Sequence, residues 1–329
     1  MEKQGKAVSK DQLYGILETR NIEHVQFGLE QRFPTWYGST AYFQLSSRKL
    51  GVRDPDGRLS SRDLAHVGNK SAKIKVETQL IQKSNDIWLD TLYVCEYCFK
   101  YTDDASELQQ HVANCPHRRK GLGRLQYRSP DLSIRKVHGK QHTLFCQCLC
   151  LFTKLFLDNK SMYFKVDHYD FYIAYEAQTN KPMAFFSKDL ISYQKNNLAC
   201  ILTLPPYQRR GLGTLLMEFS YKLSIREGLI SGPELPLSPF GLVSYLKFWS
   251  SLVCNQFIKG NLSDRGRVSL DDISQATGMR AGDILQTLKS LKCLTTRNEI
   301  SLHALRQWTK DNKRHSGTLI NDDFMILDD

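Results

Sequence analysis

The chain has 329 residues, 41% of them apolar and 24% charged, with 45 Lys+Arg against 34 Asp+Glu for a net charge of +11. That composition excludes a mostly disordered chain. No apolar run approaches the ~18 residues needed to span a bilayer, and the polar opening MEKQGKAVSKDQ has no apolar core of the kind a secretory signal carries. A soluble intracellular protein of about two domains is expected, with a positive excess that favours an acidic partner such as nucleic acid, chromatin or a phosphorylated ligand. In a reducing compartment its nine cysteines should be ligands, nucleophiles or small core residues rather than disulfides.

In chain order, residues 1–12 read as a flexible tail and 13–45 as a strand-rich opening (LYGIL, VQFGL, FPTWYGSTAYFQL). From 51 to 86 the chain turns polar and reads as a long loop or insertion. A compact unit lies at 87–117, followed by a basic, Gly/Pro-punctuated connector at 118–130. The short apolar runs HTLFCQC, MYFKV, FYIAYE, MAFFS and NLACILTL, with turn residues between them, predict strands, and LCLFTKLFLD predicts a helix. Leu212, Leu215, Leu216, Phe219 and Leu223 fall on one face of a 3.6-period helix. From about 255, Ser269 offers an N-cap with Asp271 and Asp272 in the first turn. Gly278 is a stop, and Ile284, Leu288 and Leu291 mark a second helix, so a helix–turn–helix of winged-helix type is expected over 255–310. Residues 311–329 read as an acidic tail.

The first chemical signal is Cys95-x-x-Cys98 in an aromatic stretch, with His111 and Cys115 downstream. On a helix through DDASELQQHVANC, His111 and Cys115 share a face and can close a tetrahedron with two thiolates from a knuckle. Zinc needs four N/S donors at about 2.0–2.3 Å, and this spacing supplies them. No open coordination position is implied, so a structural zinc is expected. The finger spans 90–117, and its acids (Asp103, Asp104, Glu107) suit a scaffold better than a groove-reading helix. His117 is a nearby spare.

The second signal is NLACILTLPPYQRRGLGTLLMEF, an apolar strand running through Gln208-Arg209-Arg210-Gly211-Leu212-Gly213 into the amphipathic helix. Glycines let the backbone approach a ligand, the helix N-terminus adds partial positive charge and two arginines add full charge, so a pyrophosphate fits. RRKGLGR at 118–124 has the same glycine spacing without the strand or the helix, and reads as connector. The Q/R-x-x-G-x-G arrangement between strand and helix is neither the P-loop nor the dinucleotide pattern; acetyl-coenzyme A transferases use it.

With CLFTKLFLDNKSMYF at 150–164, SGPELPLSPFGLVSYLKFW at 231–249 and VQFGLEQRFPTWY at 25–37, the chain resembles the MYST family of histone acetyltransferases over roughly residues 13 to 295. The resemblance implies an α+β fold: an acetyl-CoA N-acetyltransferase core with a mixed central sheet and helices over 118–254, an N-terminal strand region with the zinc finger over 13–117, and the winged-helix-like module. It makes Glu234 the general base, Cys200 the active-site cysteine and Lys160 the autoacetylated lysine. Ile201, Leu202 and Thr203, the loop of Gln208, Arg209, Arg210, Gly211, Leu212, Gly213 and Thr214, and Ser238 would hold acetyl-CoA. Thr214 stands where relatives often carry Lys, and Pro239 where many carry Asp. The implied substrate is a histone tail on the nucleosome, that of histone four, in the nucleus, with a role in chromatin regulation and silencing. The relatives' chromo-like or finger-type reader domains find no counterpart in the N-terminal region, so substrate targeting is expected to come largely from partner subunits of a complex.

Read from the residues alone, Glu234 in GPELP is a turn glutamate, and base catalysis would call for a carboxylate raised toward neutrality by partial burial. Cys200 has two readings, a nucleophile in a ping-pong route or a pocket residue beside direct attack by lysine. Its apolar strand favours the second. Cys146, Cys148 and Cys150 alternate as on a strand face and, without a His or acid nearby, read as core together with Cys254 and Cys293. Arg280, Lys289 and Lys292 are candidates for DNA contact, although in a catalytic domain of this kind such a module more often packs beneath the active site and shapes the substrate groove. The competing class is a non-catalytic protein that binds chromatin or DNA through the finger and winged helix; a transferase for a small amine leaves the finger unexplained.

Overall fold

The computed structural model describes residues 20–43, 48–51, 87–157, 164–297, 299–312 and 319–326, so the tail expected at 1–12, the polar stretch 52–86 and Lys160 lie outside the described residues. The chain divides into two units, Met1–Met183 with Leu204–Pro206, and Ala184–Thr203 with Tyr207–Asp329.

In the first unit, β1 (Ile22–Phe27) and β2 (Gln31–Pro34) form an antiparallel hairpin. Gly28 closes it at φ +64, where a Cβ would fall 2.5 Å from the Glu96 carboxyl. β3 (Leu89–Val94) runs parallel to β1, and β4 (Tyr101–Thr102) antiparallel to β3, giving a mixed sheet of order β2-β1-β3-β4. α1 (Ala105–Asn114) begins at Asp104, whose carboxylate accepts the N–H groups of Ser106 and Glu107. β5 (Arg124–Arg128), β6 (Leu132–His138) and β7 (Tyr169–Glu176) are successive antiparallel neighbours.

Between β6 and β7 the structure corrects the sequence reading. HTLFCQC is not a strand but the first half of α2 (Thr143–Lys154). Apolar residues run on from Phe145 to Phe152 with only Gln147 interposed, a pattern without period, and a helix buried on most faces satisfies it as well as a strand. Cys146, Cys148 and Cys150 therefore wind around α2 instead of sharing a face; all three are buried, in keeping with a core role. Rings of Phe27, Phe99 and Phe156 surround Phe152 at 5.3, 5.5 and 5.1 Å. Of the expected strand MYFKV only residues 164–166 are described, and they form none.

β8 (Pro182–Asp189) starts in the first unit; from Ala184 onward, in the second, it pairs antiparallel with β9 (Cys200–Thr203). α3 (Leu212–Arg226) buries Leu212, Leu216, Phe219 and Leu223, the face read from the sequence. α4 (Pro239–Ile258) was not anticipated, and residue 255 lies inside it. α5 (Leu270–Thr277) carries a full capping box between Ser269 and Asp272 and ends at Gly278 with φ +72. α6 (Ala281–Leu291) and α7 (Leu302–Asp311) follow, with an isolated antiparallel bridge between Leu294 and Ile300.

Trp249 of α4 is fully buried among Tyr245, Phe248, Ile273, Ile284, Leu288 and Leu305, and its indole N–H donates to the Tyr221 hydroxyl at 2.8 Å. Within the stretch read as a tail, Ile320 is buried, and the N–H groups of Leu319 and Ile320 donate to the Glu218 carboxylate at 2.9 and 3.2 Å. Among the described residues no helix is long and apolar enough to cross a membrane.

Candidate functional site

The metal centre belongs to the first unit. After β3 the chain turns so that Cys95 accepts the Phe99 N–H at 3.0 Å and donates to the Lys100 carbonyl at 2.8 Å, with Phe99 in the left-handed region at φ +63. This knuckle presents Cys95 and Cys98; α1 brings His111, and Cys115 caps its C-terminal end. One donor atom from each of the four residues lies within 4.8 Å of the others, and Cys98 Sγ is 3.1 Å from His111 Nε2. Tetrahedral zinc at its usual bond lengths separates its ligands by about 3.3–3.8 Å, so the donor set fits the ion in number, type and spacing. Hydrogen bonds from Cys95 and Cys98 pull the Cys115 thiol well down, and the same sharing, with burial, pushes Cys95 up to about 12 and Cys98 further. Zinc takes such sulfurs as thiolates, so binding the ion displaces the protons they share. His117 is not among the four; its ring packs against Phe145 at 5.8 Å.

The second Gly-x-Gly copy, read as connector, leads into β5 and lines a basic cleft of about 530 Å³ with His117, Lys120, Arg124, Lys136, His138 and His142. None of the residues assigned to acyl transfer lines it.

The residues expected at the acyl-transfer site all lie in the second unit, apart from Lys160. Cys200, Ile201, Leu202 and Thr203 are β9 itself, with Cys200 half-buried. The loop that follows turns back onto the strand, where the Gln208 carboxamide donates to the Thr203 carbonyl at 3.3 Å. Arg209 has φ +63 and Gly211, the N-cap of α3, has φ +81. A Cβ on Gly211 would meet nothing within 4 Å, so the backbone angle, not crowding, calls for glycine. On Gly213 it would sit 3.7 Å from Thr203 Oγ1, an ordinary contact. No side chain caps α3 and no acid lies in its first turn. Its leading N–H groups, with exposed Arg209 and Arg210, present positive charge to an anion. Arg210 also lies over the Tyr207 ring at 5.2 Å. Thr214 is half-buried in the first turn of α3.

Glu234 reaches this neighbourhood through backbone pairing. Residues 231–234 run beside 197–199: Asn197 N–H donates to the Gly232 carbonyl at 3.0 Å, Leu198 and Pro233 form a parallel bridge, and the Glu234 N–H donates to the Leu198 carbonyl at 2.8 Å. Glu234 thus enters two residues before Cys200 on the adjoining segment. Its side chain is exposed, whereas the sequence argument called for partial burial; only its predecessors 231–233 are buried. Ser238 is the N-cap of α4, its hydroxyl accepting the Gly241 N–H at 3.1 Å, and Pro239 takes the first helical position, where its missing N–H costs nothing.

Arg280 has partners within the protein. Offered for DNA contact, its guanidinium turns inward, donating to the Gln194 carbonyl at 2.8 Å, Asn196 Oδ1 at 2.7 Å and the Pro233 carbonyl at 3.4 Å. Asp283, one turn along α6, is buried; desolvation pushes its carboxyl up to about 6 against the pull of Arg280. Lys289 and Lys292 are exposed.

Comparison with known proteins identifies the family. Residues 85–115 match the MYST family zinc finger domain and residues 120–325 the MOZ/SAS family. The chain is 53% identical over 325 residues to "Histone acetyltransferase SAS2" of Saccharomyces cerevisiae, covering 98% of this chain and 90% of that protein. It is 42% identical over 206 residues to "Histone acetyltransferase MOF" of Drosophila melanogaster, covering 62% of this chain and 24% of that protein. With "Histone acetyltransferase of the MYST family 1" of Arabidopsis thaliana the figures are 41% over 208 residues, 63% and 46%. The chain belongs to the MYST family of histone acetyltransferases.

Proposed function

We propose that the protein moves the acetyl group of acetyl-CoA to a lysine of a histone tail, that of histone four, with Glu234 as general base. The observation that supports this reading is the backbone pairing of Glu234 with Leu198, which brings the Glu234 backbone alongside the segment that leads into β9 and Cys200.

A lysine amine has pKa about 10.4, so its free base costs about 4–5 kcal/mol at neutral pH, and a positioned carboxylate must take the proton. Glu234 receives that proton as the amine nitrogen bonds to the thioester carbon and the C–S bond breaks. The departing thiolate leaves as CoA, taking up the second proton that the nitrogen sheds as the amide forms, and Glu234 then returns its own proton to solvent. Because Glu234 is exposed in the protein alone, the bound tail supplies its burial. β9 pairs with β8, so of Ile201, Leu202 and Thr203 only the alternate N–H groups that point away from β8 are available to the developing oxyanion. Arg209 and Arg210, with the N–H groups at the start of α3 from Leu212 to Thr214, take the phosphates, with Gln208 and Gly211 shaping the loop and Ser238 contributing from the start of α4. Cys200 lines the pocket in a direct-attack route.

The resemblance further makes Lys160 an acetyl acceptor within the chain. It also places the protein in the nucleus, in a complex whose other subunits direct it to nucleosomes, with a part in silencing and with DNA contact through its basic surface. One zinc ion on Cys95, Cys98, His111 and Cys115 serves the fold.

The test incubates wild type, Glu234→Gln and Cys200→Ala with acetyl-CoA and nucleosomes and maps acetyl-lysine by mass spectrometry alongside initial rates. Glu234→Gln should lose about 10²–10⁴-fold in kcat, while Cys200→Ala keeps activity and intersecting double-reciprocal lines. Equal labelling by wild type and Glu234→Gln would overturn the assignment.

A further inference from the structure

The segment carrying Glu234 has no regular structure of its own and is held from outside. Ser231 forms a parallel bridge with Met279, its N–H donating to the Gly278 carbonyl at 3.0 Å. One residue on, a Cβ at Gly232 would land 2.5 Å from Asp283 Oδ2 and 3.5 Å from Arg280 Cδ, so this backbone lies directly on the start of α6. Among the described residues, none hydrogen-bonds to Asp283 Oδ2, which is buried there.

Arg280, the N-cap of α6, connects two pieces of chain that otherwise meet through backbone pairing. Its Nη2 reaches Gln194 and Asn196, on the approach to β9 and Cys200; its Nη1 reaches the carbonyl of Pro233, the residue before Glu234. A guanidinium fits this task because its nitrogens diverge in one plane and satisfy several acceptors at once. An ammonium, a compact point charge on a flexible stem, does not fix their mutual geometry.

We propose that Arg280 is a positioning residue of the transfer reaction, setting the carboxylate of Glu234 against the strand of Cys200 by bridging Pro233 to Gln194 and Asn196. This rests on the reading of Glu234 as the base. The helical region after α4 thereby acts on the chemistry through a side chain that touches neither substrate, and glycine at 232 lets the segment lie against Asp283, where a Cβ would fall 2.5 Å from Oδ2.

The test measures kcat, and KM for acetyl-CoA and for a histone tail peptide, in full-length Arg280→Met, Arg280→Lys, Glu234→Gln and the double variant Glu234→Gln/Arg280→Met. Misplacing a catalytic group by about 1 Å costs about 100-fold, so Arg280→Met should lose about 10–100-fold in kcat. Its KM for acetyl-CoA should stay within about twofold, because the 208–214 loop is not among the Arg280 partners. Arg280→Lys should recover little of the loss, and Arg280→Met should add nothing in the Glu234→Gln background. Wild-type kcat in Arg280→Met, or a loss that multiplies with that of Glu234→Gln, overturns the inference while leaving the base assignment standing. Wild-type kcat in Glu234→Gln overturns the base assignment and the inference with it. If Arg280→Met melts during purification, Gly232→Ala, which lifts the same segment from its seat, must show the same kcat loss at unchanged acetyl-CoA KM, or the inference falls.

Discussion

The finger and the helical region around α4 solve the same problem by opposite means. Among the described residues, the finger's apolar cluster has five buried members, Cys95, Tyr97, Leu108, Val112 and Cys115, two of them metal ligands. The cluster around α4 has sixteen, with Trp249 at its centre. A core as small as the first does not offset the entropy of ordering its chain, so a cross-link must carry the load. A core like the second holds itself together through burial and close packing. The two regions should therefore fail under different insults.

The largest effect expected is on the finger. Removing zinc with a strong chelator, or replacing Cys98 by Ser, should unfold 90–117, since structural zinc in such modules is worth about 10–16 kcal/mol. Hydrogen exchange should show the amides of α1 losing protection while those of α4 and α6 keep theirs. Equal loss in both regions would erase the distinction. Next comes the converse. Trp249→Ala should destabilise the second unit by about 3–5 kcal/mol, read from its denaturation midpoint, and leave the zinc content of the purified protein at one per chain. Zinc loss in that variant would mean that the finger leans on the α4 core. The smallest effect sharpens the comparison within the helical region. Ser269→Ala breaks the capping box on α5 and should cost about 1 kcal/mol, because tertiary packing and not the cap holds that helix. A cost several times larger would show that the cluster depends on its termini.

The same contrast explains what the sequence made legible. Metal ligands must be particular residue types at particular spacings, so Cys95, Cys98, His111 and Cys115 stood out, and the strand, glycine loop and amphipathic α3 announced themselves by period and punctuation. Packing writes a weaker signature. α2 is apolar without period, and its first half read as a strand. α4 shares that uniformity over 20 residues and was not read as an element at all. Glu234 was reachable only through family resemblance, since its position depends on pairing with Leu198, a contact that no local pattern encodes. Arg280 looked like one more surface cation, because direction is invisible in sequence: the same residue type serves a phosphate outside or three backbone and side-chain oxygens inside.

The hold of Glu218 on the chain near 320 has a practical reach. Its carboxylate is buried, accepts the N–H groups of Leu319 and Ile320, and is pushed up by desolvation against those bonds; beside it Lys222 meets Asp322 at 2.8 Å. A fragment trimmed just before Leu319 would keep every residue assigned to chemistry, yet leave a carboxylate with two empty hydrogen-bonding positions facing newly uncovered apolar surface. A boundary drawn from the reactive groups alone would thus cut away the partners of one buried acid.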